Sequence, residues 1–192
     1  MVKKFLVLFS IVVVMFSSFV SFSKISHASE VSDRETTFSE IDEELIQAAE
    51  KVSSYFSVDE DENIIFNADR DTLISDLGVS EKDADLMILA VAELTSNNKN
   101  PKIQPYGFVG VYLHLGPKVR AMNGWAAGAF AAGYVGWYAK QFAVNPITAG
   151  VAGLITAGTA LAVKNAVEDN VKKVSLGLNI LGLNWSYDVD IP

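Results

Sequence analysis

The sequence contains no cysteine. Disulfide bridges, thiolate nucleophiles and cysteine-based metal sites are therefore excluded. Histidine is scarce as well: His27 and His114 are the only two. Basic residues are few in the first half. From Ser29 to Asn100, nineteen Asp/Glu stand against Arg34, Lys51, Arg70, Lys82 and Lys99, a net charge of −14. Such a region repels phosphate, which argues against nucleic acid as a partner. Beyond Asn100 it is acid that is scarce. Glu168, Asp169, Asp188 and Asp190 face seven Lys/Arg, a net charge of +3. An acidic half is joined to a mildly basic, apolar half.

Long hydrophobic runs are present, and the first is terminal. Lys3 and Lys4 precede a nearly unbroken apolar and small-residue run from Phe5 to Phe22. Ser26-His27-Ala28 then places small residues at both positions that a signal peptidase reads. The expectation is a signal peptide over 1–28, cleaved between Ala28 and Ser29, and a secreted, extracellular protein. An uncleaved N-terminal anchor is the alternative, because the apolar run is long.

In the acidic region, 29–95, Ser39 with Asp42 three residues on suggests a capping box. Ile41, Leu45, Ala48, Val52 and Tyr55 recur at three and four, predicting an amphipathic helix from Glu40 to Tyr55. The run Asp59-Glu60-Asp61-Glu62-Asn63 resembles the start of an EF-hand loop. Ile64 stands where that loop needs glycine, however, and Arg70 where it needs a bidentate Glu. A solvated turn between two short strands is the better reading. Asp69 to Leu77 reads as a helix stopped by Gly78. Another helix starts at Ser80, with Asp83 three residues on. It runs through Leu94, with Ala84, Met87, Ile88, Val91 and Leu94 inward. Ser96 to Pro105, rich in Asn and Pro, reads as a linker open to proteolysis.

The apolar region, 106–192, opens with the alternating stretch Tyr106 to Leu115, which predicts a strand. Val109, Val111, Leu113 and Leu115 lie on one face, and Phe108, Tyr112 and His114 on the other. A second alternating stretch, Val174 to Ile191, changes phase at Ile180-Leu181, which implies a bulge or turn. Between them lie two uncharged runs, Ala121 to Ala139 and Gln141 to Val163, with Asn145-Pro146 starting a second helix. On a helical wheel Gly124, Gly128, Ala132 and Gly136 fall on one stripe. Phe130, Tyr134, Trp137 and Tyr138 lie opposite, and Trp125 breaks the division. Ala149, Gly153 and Ala157 repeat the device on the second helix. Small faces let helix backbones approach closely in lipid or in a protein core, so a tight helical hairpin is expected. The fold class is α+β: strand, helical hairpin and C-terminal strands behind an acidic helical region.

Permanent membrane residence is disfavoured. From Ile147 to Val163 the strong apolar residues are two each of Ile, Leu and Val. They supply only about −2 to −4 kcal/mol toward insertion before Thr and Gly subtract. An exported hairpin would also leave Lys118, Arg120, Lys164, Lys172 and Lys173 outside, inverting the usual positive-inside bias. Those cations instead suit contact with anionic lipid from outside. Catalysis has little support. His114 is the one imidazole after Ser29, and Asp188 with Asp190 could be paired carboxylates or ordinary surface aspartates. No catalytic residue, metal site or cofactor is expected, and the chain is read as a non-enzyme.

Pro101 to Pro105 and the small-residue ladders from Gly124 to Ala160 carry a resemblance to bacteriocin-type secreted proteins of Gram-positive bacteria. It rests on composition and segment order over about the last ninety residues. The double-glycine leader ending common in that group is absent. The resemblance implies permeabilisation of bacterial membranes, with the acidic half as pro-region or internal shield. Trp125, Phe130, Tyr134, Trp137, Tyr138, Lys118, Arg120, Lys172 and Lys173 would then touch anionic lipid. The competing expectation is a globular secreted protein that binds a cell-surface protein, with the hairpin as its core. Self-association is compatible with both.

Overall fold

Alternating blocks of helix and strand build an α+β fold. The computed structural model describes residues 42–61, 63–97, 102–104, 109–141, 146–178 and 186–192. The signal segment with Ala28 and Ser29, the phase change at Ile180-Leu181, and the Asn145 cap lie outside the described residues. All described residues belong to one compact unit, Thr37–Pro192.

Helix α1, Glu43–Tyr55, starts at Asp42, whose Oδ1 accepts the Leu45 N–H at 3.1 Å. The cap is thus Asp42 itself, later in the chain than the Ser39 start expected. Its inward face is Leu45, Ala48, Ala49, Val52 and Ser53. Strands β1, Phe56–Val58, and β2, Ile64–Phe66, form an antiparallel pair. Asp59 closes the turn between them by accepting N–H bonds from Asp61 and Asn63 at 2.9 and 2.8 Å. Its ligand-like oxygens are spent inside the turn. Helix α2, Arg70–Leu77, is capped by Asp69 and ends at Gly78, whose φ of 66° needs a residue without a Cβ penalty. Helix α3, Glu81–Asn97, follows.

The expected linker is in part regular structure. Helix α3 runs to Asn97, and Lys102–Gln104 is a strand, β3. It pairs with a strand from the far end of the chain, and the described parts of the acidic and apolar halves fall within the one compact unit. Strand β4, Val109–Leu115, leads into the short helix α4, Pro117–Ala121, and then α5, Gly124–Lys140. Helix α6, Pro146–Glu168, precedes β5, Lys173–Leu178, and β6, Ser186–Ile191. Asn170, at φ 57°, turns the chain out of α6. The sheet order is β3-β6-β4-β5, with β4 and β6 parallel and the outer pairs antiparallel. Val111, Leu113, Leu115, Val189 and Ile191 form its buried face. At the end of β4 the Gly116 N–H donates to Ile191 O at 2.6 Å. A Cβ at Gly116 would meet the backbone of Pro192, so the chain needs glycine at this crossing.

Candidate functional site

Helix α5 is the centre of the molecule. From Gly124 to Gly136 every residue except Trp125 is buried. A helix apolar on all sides must be covered on all sides. Here α6 covers one side and α1, from the acidic region, covers another.

The glycine stripe makes the first contact. A Cβ on Gly128 would strike the Ala160 carbonyl, one on Gly136 would lie 2.8 Å from Thr156 Oγ1, and one on Gly124 would lie 2.9 Å from Lys164 O. The pairings run in opposite directions, so α5 and α6 are antiparallel. On α6 the face used is Thr156, Ala160 and Lys164. The expected face, Ala149, Gly153 and Ala157, is not the one α5 meets. Gly153 is exposed, and a Cβ built there meets nothing within 4 Å. Ala157 is half-buried, and Ala149 lies among side chains outside the description. Small residues occupy two faces of α6, and spacing alone does not say which one α5 takes. Ala132, also on the stripe, is fully buried.

The second contact had no counterpart in the sequence reading. Gly133 sits among the aromatics, and a Cβ there would lie 2.9 Å from Ala49 O and 2.5 Å from Val52 Cβ. Helix α1 therefore touches the α5 backbone as closely as α6 does. The signal was a glycine placed on the bulky face. Helix α1 runs the same way as α5: Asp42 pairs with Lys164 at 3.3 Å, Val52 meets Gly133, and Lys140 donates to Ser53 Oγ at 3.2 Å.

This packing corrects the contact residues expected for a membrane or partner. Phe130 is 0 % and Tyr134 1 % exposed. They pack on Phe56, whose ring centre lies 6.4 Å from Phe130, 5.4 Å from Tyr134 and 5.5 Å from Trp137. Burial, with smaller effects from Tyr138 and Asp190, pushes the Tyr134 phenol up to about 12. Trp125, Trp137 and Tyr138 are half-buried against the same core. Burial raises the Tyr138 phenol too. Lys118 pairs with Glu93 of α3, and Arg120 Nε donates to Leu115 O at 3.0 Å. Lys172 and Lys173 are exposed.

A polar linkage joins the halves at the start of α5. Asp83 is 3 % exposed. Its carboxylate accepts from Ser80 Oγ at 2.6 Å, from the Asn123 N–H at 2.9 Å, and from Asn123 Nδ2. Ser80 and Asp83 were legible as a helix start; their partner forty residues on was not.

On the sheet's polar side, His114 Nε2 lies 2.7 Å from Asp188 Oδ1, with each side chain about one third exposed (37 and 32 %). Asp190 is the register partner of His114 and is exposed. The imidazole thus engages one of the two aspartates. Among the described residues no group of three or more His, Asp or Glu could hold a metal ion, and no helix is long and apolar enough to cross a membrane. No family model, curated protein or solved structure matches this chain.

Proposed function

We propose that the chain is an exported, non-catalytic interaction protein that binds a cell-surface protein, with the α5–α6 hairpin as its permanent core. One observation carries this reading: α5 is buried between α6 and the acidic region's own α1, with Phe130 and Tyr134 inside. Magnitudes support it. Full burial of Leu45, Val52 and Phe56 contributes roughly 1.5–3 kcal/mol each, about 5–9 kcal/mol together. The seam's ion pairs, Lys164–Asp42 and Lys118–Glu93, are partly exposed. Such pairs contribute about 0–1 kcal/mol each. Apolar packing therefore dominates the seam, and lipid charge alone is a weak lever for opening it.

A second reading keeps the bacteriocin-like activity in latent form. It is favoured by the same seam seen from the other side. An uncharged Gly/Ala-rich helix, with cations at both ends, is covered by a segment of opposite net charge. In that reading the acidic region is a shield, and its removal releases the hairpin onto anionic membranes.

A protease site placed between Asn97 and Lys102, in a chain starting at Ser29, separates the two. The interaction-protein reading expects the fragments to co-elute after cutting and to release no dye from anionic vesicles. Dye release on cutting, with the apolar fragment floating with lipid, would replace it with the latent membrane-active reading.

A further inference from the structure

The linkage at the start of α5 has a directional property. Asn123 is the N-cap of α5, and its Oδ1 accepts the Ala126 N–H at 2.9 Å. Its Nδ2 donates to Asp83 Oδ2, and its backbone N–H donates to Asp83 Oδ1. The Asn123 amide has one acceptor end and one donor end, whereas an ionised carboxylate only accepts. Asp83 therefore holds the donor end toward itself, which leaves the acceptor end aimed at α5. Asp83 is in turn fixed by the start of α3: Ser80 Oγ donates to it and accepts the Asp83 N–H at 3.1 Å.

We propose that Asp83 acts as a conformational switch through Asn123: the cap of α5 is locked in place while the acidic region's α3 is docked against its first turn. Helix α5 has no acidic residue in its first turn, and Asn123 supplies its side-chain cap. Undocking α3 frees the Asn123 amide to rotate, and the cap weakens with the contact. The first turn of α5 thereby reports the docking of a segment forty residues earlier. Asp83 is a positioning residue, and this role stands whichever of the two functional readings holds.

The test is a reciprocal exchange of the two side chains. In Asp83→Asn one of the two acceptor oxygens becomes an NH2 donor, so the side chain can accept from Asn123 Nδ2 or from the Asn123 backbone N–H but not from both; Asp83→Ala removes both acceptors. In Asn123→Asp two acceptors face each other and repel. The double variant Asp83→Asn/Asn123→Asp restores one donor between them and leaves a carboxylate oxygen for Ala126. Hydrogen exchange of the Ala126 amide, read by NMR on the full chain from Ser29, should quicken by up to about fivefold in Asn123→Asp and in Asp83→Ala, the factor that full loss of an N-cap brings, and by less in Asp83→Asn. It should return to the wild-type rate in the double variant. Amides late in α6 serve as the internal control for global stability. Unchanged Ala126 exchange in Asn123→Asp and in Asp83→Ala contradicts the switch. So does equal acceleration across α5 and α6 without recovery in the double variant, which is the signature of a merely structural Asp83.

Discussion

Gly133 of α5 lies directly against Val52 of α1, so close that any Cβ at residue 133 would fall inside the Val52 side chain. This contact ties the acidic half to the apolar half. It follows that α5 carries two glycine faces, one for each covering helix.

Glycine substitutions should sort by face. Gly133→Ala and Gly128→Ala force backbones apart and should each cost roughly 1–3 kcal/mol. Gly153→Ala, on an exposed helix surface with open space at the Cβ position, should stabilise by about 1 kcal/mol. Thermal melts of the three variants check this. Similar losses for all three would mean that α6 packs through its other face.

How far the sequence carried the description depends on the kind of residue. Gly78, Asp69 and Pro146 marked helix ends because their backbone and capping chemistry is local. The Gly124–Gly128–Gly136 stripe was legible because period and residue size agree. The partner face on α6 was not, because Gly153 and Ala157 are as small as Ala160 and only docking chooses between them. Strand β3 was missed because Lys102–Gln104 has turn-rich flanks and pairs with β6 from the far end of the chain. The exposed-aromatic expectation failed at Phe130 and Tyr134 for a related reason: the surface that covers them belongs to a segment separated by charge composition.

Phe130→Ala should cost about 3–5 kcal/mol, the range for emptying a fully buried aromatic site. Denaturant unfolding measures it. A loss below about 1 kcal/mol would place Phe130 on a surface.

Alkaline pH should expose Tyr134. Burial raises its folded pKa to about 12, above the ordinary phenol value of 10.0. A raised pKa contributes stability that is complete below about pH 10 and is lost as pH rises through about 12. The loss over that window should approach roughly 2–3 kcal/mol. Tyr134→Phe should remove this component of the alkaline decline. Ultraviolet titration at about pH 11 should show fewer phenolates in the native protein than after unfolding, because Tyr55, Tyr134 and Tyr138 are all raised, and Tyr134→Phe should narrow that difference by one. A full complement of phenolates at that pH with the fold intact would contradict the burial.

Salt should matter little to the seam. Raising ionic strength from about 0.1 M to 1 M shortens the Debye length from about 10 Å to about 3 Å. The exposed parts of Lys164–Asp42 and Lys118–Glu93 weaken, while apolar packing does not. Unfolding free energy should shift by at most about 1–2 kcal/mol. A larger drop, or separation of a cut chain at 1 M salt, would make the seam electrostatic.

Helix α5 stays inside the molecule in the interaction-protein reading, and hydrogen exchange of its amides with anionic vesicles present reads this most directly. With the chain from Ser29 intact, amides from Ala127 to Gly136 should exchange through global unfolding alone, at the same rates with and without vesicles. Selective loss of protection across those amides when lipid is added would contradict that reading, because α5 would then leave its place between α1 and α6 to meet the membrane.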